Sequence, residues 1–81
     1  MAEAYVGLSA VDAKQKKFDE ALKVLDEAQR FDPNIAQIYV NRGGVYEVLR
    51  NYADAVKQYQ IALQIDPANR SAREGLRRVA R

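Results

Sequence analysis

Apolar positions along this chain fall in blocks with helical spacing. Phe18, Ala21, Leu22, Leu25, Ala28 and Phe31 stand mostly three or four residues apart, which puts them on one stripe of an α-helix and predicts an amphipathic element. Tyr52, Ala55, Val56, Tyr59, Ala62, Leu63 and Ile65 repeat that stripe further on. Ala4, Tyr5, Leu8 and Val11, and later Ile38, Tyr39, Val45 and Tyr46, form a second kind of stripe that precedes each of the first. Pro33 and Pro67 stop the long stripes, because the residue before a proline is pushed out of helical geometry. Asn34 and Asn69 follow and are the expected caps of the next helices. Polar turns at Gln15-Lys16-Lys17 and Arg50-Asn51 suit antiparallel helix pairs. The spacing predicts five helices, over about 2–15, 18–31, 36–49, 52–65 and 70–80.

The two prolines are 34 residues apart, and that interval is the period of the whole chain. Shifted by 34, Ala2, Tyr5, Val6, Val11, Ala21, Lys23, Ala28, Asp32 and Pro33 fall on identical residues, from Ala36 to Pro67. Phe18 on Tyr52, Leu22 on Val56 and Phe31 on Ile65 are conservative. A gapless period of this length is the mark of a stacked repeat array. A coiled coil would need heptads that persist across Pro33 and Pro67, and none do.

The first unit offers Tyr5, Leu8, Ser9, Asp12, Ala21, Leu25, Ala28 and Pro33; the second offers Tyr39, Arg42, Gly43, Tyr46, Ala55, Tyr59, Ala62 and Pro67. In this pattern the chain resembles the tetratricopeptide repeat family. The resemblance implies an all-α fold, a right-handed superhelical stack of antiparallel helix pairs. It implies a single domain over 1–81, with repeats at 2–35 and 36–69 and a C-terminal solvating helix at 70–81. Two side chains depart from the pattern: Asp12 stands where a tyrosine is usual and Arg42 where a leucine is usual. On neighbouring helices they are expected either to pair with each other, since an unpartnered buried charge is costly, or to reach solvent at an edge.

By the same resemblance, a concave groove is lined by the first helix of each unit. Its partner-binding residues are expected to be Val6, Ala10, Ala13, Val40, Asn41, Gly44, Val48, Glu74 and Arg78, with Glu3, Gly7, Gln37, Ser71 and Gly75 beside them. Glycine inside a helix costs about 1 kcal/mol relative to alanine, so Gly7, Gly44 and Gly75 on one face suggest a surface that a partner backbone approaches closely. Val6, Val40 and Val48 would anchor it. The family's two-carboxylate clamp for chaperone tails would place its Lys, Asn, Asn, Lys and Arg on Val6, Ala10, Asn41, Ser71 and Gly75. Only Asn41 matches, which argues against a chaperone-tail adaptor.

Composition narrows the function classes. The 81 residues contain no cysteine and no histidine, so thiolate and imidazole metal ligands, disulfides and the commonest general base are absent. Asp19/Glu20 and Asp26/Glu27 have the look of solvated helix faces rather than acid–base pairs. A non-enzymatic protein or peptide binder without cofactor is expected. No apolar run approaches the roughly 20 residues that span a bilayer, and no basic-then-apolar export signal opens the chain; the expected compartment is the cytoplasm.

The net charge of +2 is uneven: residues 1–69 hold 8 Lys/Arg against 10 Asp/Glu, and residues 70–81 hold 5 Arg against Glu74. The arginine helix reads first as a solvated cap and second as a weak contact for RNA or another polyanion; the lack of an aromatic in it disfavours nucleic acid. At the other end Ala4, Leu8 and Val11 are apolar where a preceding unit would pack. An open N-terminal face is therefore expected, either cut from a longer array or used for self-association.

Overall fold

The computed structural model describes residues 18–80. Four helices are present among them: α1 (Phe18–Phe31), α2 (Ala36–Val48), α3 (Tyr52–Ile65) and α4 (Arg70–Val79). They agree with four of the five expected helices; the one expected at 2–15 lies outside the described residues. α1 packs on α2, α2 on α3, and α4 on both α3 and α2.

Each boundary has a local cause. In α1, Asp19 and Glu20 occupy the first turn and Arg30 the last, the arrangement the helix dipole favours. The Asp-Pro repeat builds the same turn twice: Asp32 Oδ1 accepts from the Asn34 N–H at 3.0 Å and Asp66 Oδ1 from the Ala68 N–H at 3.2 Å. The Pro33 carbonyl is satisfied by the Tyr39 hydroxyl at 2.7 Å, so the turn is tied to the helix that follows it.

The two expected caps part company. Asn69 caps α4, its Oδ1 accepting from the Ala72 N–H at 2.9 Å. Asn34 caps nothing, because the N-cap position of α2 is Ile35, one residue later. In the 34-residue phase Asn34 corresponds to Ala68, and Ile35 to Asn69. At the other end of α2, the Arg50 N–H bonds the Glu47 carbonyl and the Asn51 N–H bonds the Tyr46 carbonyl, a Schellman closure. Its left-handed position, where glycine is usual, is held by Arg50 at φ 62°.

The core is built from Leu25 and Ala28 of α1, Ile38, Tyr39 and Val40 of α2, Ala55, Tyr59 and Ala62 of α3, and Ala72 of α4. Tyr59 organises it. Its ring lies against the backbone of Gly43 on α2 and of Gly75 on α4, so close that a methyl at Gly43 would come within 2.8 Å of Cε1 and one at Gly75 would overlap the ring. Gly75 is therefore a packing glycine buried under Tyr59, not the groove position expected for it.

Of the two expectations for Arg42, the solvent-exposed one is overturned. The residue is 7% exposed, so it does not reach solvent. Among the described residues its partners are on the two flanking helices: Nη2 to Asp26 Oδ1 at 3.0 Å and Nη1 to Gln58 Oε1 at 3.2 Å. The guanidinium also stands 5.7 Å from the centroid of the Tyr39 ring, within cation–π range. Nε is buried with no hydrogen-bond partner among the described residues. Asp12, the expected partner, lies outside those residues.

Two predictions follow from this packing. In urea titrations, Gly43→Ala and Gly75→Ala should each destabilise the fold by about 1–3 kcal/mol through overpacking against Tyr59. Gly44→Ala, where an added Cβ meets nothing within 4 Å among the described residues, should stabilise it by about 0.5–1 kcal/mol. For the buried cation, Asp26→Ala should cost about 1–3 kcal/mol by stripping a charged hydrogen bond, whereas Arg42→Leu should be neutral or stabilising. A double-mutant cycle in which Asp26→Ala costs as much in the Arg42→Leu background would show that the two are uncoupled.

Candidate functional site

One stripe of α2 is left outside the core. Gln37, Asn41, Gly44 and Val48 are spaced by four, three and four residues, and all are exposed or half-buried, while Ile38, Tyr39, Arg42 and Val45 turn inward. The Gln37 amide donates from Nε2 to Asn41 Oδ1 at 2.8 Å, fixing one turn of the stripe. Gly44 leaves its backbone open, and Val48 is 64% exposed beyond it. Of the expected groove residues on this stripe, Asn41 and Gly44 are thus half-buried and Val48 is exposed. Val40 is not: at 9% exposure it belongs to the core and cannot serve as an exposed anchor. Val6, Ala10 and Ala13, like Ala4, Leu8 and Val11, lie outside the described residues.

The α4 side supplies Ser71, Glu74 and Arg78, all exposed. Arg78 spans back to α2 and grips Glu47 with two bonds, Nε to Oε2 at 2.9 Å and Nη2 to Oε1 at 3.1 Å. The Tyr59 hydroxyl donates to Glu47 Oε1 at 2.9 Å. Glu47 therefore joins α2, α3 and α4 through one carboxylate. Glu47, Tyr52, Arg78 and Val79 line a shallow depression of about 380 Å³. The sequence reading missed Glu47. A signal was present, since Glu47 and Arg78 are 31 residues apart, one helical turn short of the period, which brings successive first helices side by side.

The electrostatics follow from this geometry. The hydrogen bond from Arg78 holds the Glu47 carboxyl below its ordinary 4.5, against the opposing effect of burial. Burial, reinforced by the bond to Glu47, pushes the Tyr59 phenol up from 10.0 to about 12. The same bond raises Arg78. Among the described residues no group of three Asp or Glu could hold a metal ion, and no described helix is long and apolar enough to cross a membrane.

A helix-pair stack with this spacing defines a class, and the sequence comparisons agree with it. The tetratricopeptide repeat pattern matches residues 2–35 and again 36–69. The chain belongs to the tetratricopeptide repeat family. It is 41% identical over 51 residues to the Hsp70-Hsp90 organising protein of Plasmodium falciparum, covering 63% of this chain and 9% of that protein. It is 30% identical over 77 residues to the Hsp70-Hsp90 organizing protein of Triticum aestivum, covering 95% and 13%. The chain thus spans only a small part of these relatives.

Among solved structures it superposes on the Arabidopsis OM64 TPR domain with a TM-score of 0.89 at 26% identity, over 96% of this chain and 64% of that one. The first TPR of Spaghetti (RPAP3), bound to the HSP90 peptide SRMEEVD, gives 0.90 at 22% identity, over 99% and 64%; that likeness is one of fold.

The linked Tyr59–Glu47–Arg78 set should shape stability against pH. Glu47 has a depressed folded value, so its contribution is present above about 4.5 and lost as pH falls through the folded value. Tyr59 has a raised one, so its contribution is complete below 10 and lost as pH rises through about 12. That loss is on the order of 2–3 kcal/mol. Thermal melts of wild type and Tyr59→Phe across this range should show a steeper alkaline decline in wild type; parallel curves would remove Tyr59 as the cause.

Proposed function

We infer that this chain is a protein-interaction module that holds a segment of a partner protein along the stripe Asn41–Gly44–Val48 of α2 and the facing Ser71, Glu74 and Arg78 of α4. The observation that carries this is Gly44: a glycine inside a helix, with no described side chain packed beside it and an exposed valine one turn on. Adjacent Gly43 is explained by Tyr59, and Gly44 has no such packing reason. Membership of a repeat family built of stacked helix pairs, with their extended binding surfaces, supports the reading. It assigns the chain no catalysis and no cofactor, and it keeps the cytoplasm as the compartment.

Relatives named for organising Hsp70 and Hsp90 raise the question of a chaperone tail. The residues here weigh against it. Of the clamp positions implied by the family resemblance, Ser71 and Gly75 stand where cations would be, and Gly75 is covered by Tyr59. Arg78, the arginine of the proposed face, is committed to Glu47. With no cation left unpaired on it, this face does not suit a cluster of carboxylates. Self-association through Ala4, Leu8 and Val11 stays an alternative without an observation among the described residues to favour it.

The test uses Val48 rather than Val40, since a charge at buried Val40 would report on folding. Peptides selected by display on the wild-type chain should lose about tenfold or more in affinity against Val48→Glu and against Gly44→Arg, with unchanged helicity. The labelled peptide SRMEEVD should show no saturable binding. Selected peptides that bind both variants as well as wild type would move the site elsewhere, and tight SRMEEVD binding would restore the chaperone-tail reading.

A further inference from the structure

The outer side of α4 carries charge that neither the fold nor the proposed binding face uses. Arg70, Arg73 and Arg77 are exposed and follow three- and four-residue spacing, while Ala72, Gly75, Leu76 and Val79 turn toward the rest of the stack. With Ala68 and Glu74 the three arginines line a shallow depression of about 300 Å³. The carboxylate of Glu74 is 3.9 Å from Arg70, with the side chains 62% and 90% exposed, a contact that neutralises little in water. Among the described residues no carboxylate lies within ion-pair distance of Arg73 or Arg77.

This placement works against the helix that bears it. Arg70 opens α4 and Arg73 closes its first turn, which holds no acidic residue, although the exposed N–H groups there favour negative charge. Arginines three and four residues apart also repel one another. Arg77 and Arg78 suit the last turn, so stabilisation of the helix accounts for those two and not for the first two. A merely solvated surface needs polarity, which uncharged or acidic residues would supply in the first turn without this conflict.

We propose that the Arg70–Arg73–Arg77 face docks an acidic helical segment of a partner protein, one whose carboxylates recur at three- and four-residue spacing. Guanidinium groups pair carboxylates through two parallel bonds. A helix of matching spacing has the same rise per residue as α4, so its carboxylates meet the three arginines in register. Nucleic acid fits less well. α4 offers no aromatic side chain on which a base could stack, and residues 1–69 are net acidic, with 8 Lys/Arg against 10 Asp/Glu.

The probe is a synthetic alanine-rich helix with glutamates at i, i+3 and i+7, compared at physiological ionic strength with an isomer whose glutamates are spread around the helix. Fluorescence anisotropy should show the matched peptide binding about tenfold tighter than its isomer, and Arg73→Glu with Arg77→Glu abolishing that preference. Arg73→Glu alone should leave the melting temperature unchanged or raised, because it relieves the first turn. Val48→Glu should leave this binding intact, which separates the face from the proposed groove. Equal affinity for the two peptides, retention of binding by the double variant, or tighter binding of a single-stranded RNA of equal charge would overturn the proposal.

Discussion

The stack depends on one aromatic ring seated against two glycine backbones. Tyr59 projects from α3 into the space between α2 and α4, and Gly43 and Gly75 are what make room for it. A side chain at either site would push its helix away from α3 and open the core that Ala55, Ala62 and Ala72 close with small side chains. The hydroxyl then fixes the ring's far end. Tyr59 is 2% exposed as a residue, and a hydroxyl buried without a partner would cost several kcal/mol; Glu47 supplies the partner, and Arg78 in turn holds Glu47. Packing and polarity therefore specify the same arrangement of three helices.

Charge is used in a second place for a similar end. Arg42 stands where the repeat pattern has an aliphatic side chain, yet it bridges α1 and α3 through Asp26 and Gln58. Such a bridge contributes little net stability, because desolvating the guanidinium offsets most of the attraction. What it does constrain is register: a slide of α1 along α2 would leave a buried cation unpaired, which an aliphatic contact would tolerate. The Nε, unpartnered among the described residues, is the residual cost of that arrangement.

Periodicity made the helix pairs legible, because Pro33 and Pro67 punctuate them at a fixed interval and the apolar stripes carry the same phase. The α1 and α3 boundaries follow directly from those signals. Finer features depended on three-dimensional neighbours. Asn34 looks like a cap by composition, but capping is decided at a single position, and Ile35 holds it. Val40 shares the exposed side of the helical wheel with Asn41 and Gly44, yet it is buried. Gly75 looked like a groove residue because its reason for being glycine, the Tyr59 ring, comes from a helix ten residues or more away in sequence. Glu47 was overlooked because its importance lies in two partners on other helices, and no local pattern announces it.

Gly43 and Gly44 show how the same constraint shapes the proposed binding face. One is required by the core and the other is not, so the open stripe on α2 is what remains after both flanks have been committed to α1 and α3. That leftover is narrow. A helix of 13 residues is about 20 Å long, enough to accompany about six residues of extended chain. So short a contact, with one exposed valine among polar groups, cannot offset the ordering cost of a flexible segment by much. Tight binding by such a unit then requires either a partner that arrives preorganised or a second point of attachment, which raises the effective concentration at the first. The proposed arginine face of α4 borders the proposed groove at Glu74 and, on the same short stack, would provide such a second attachment.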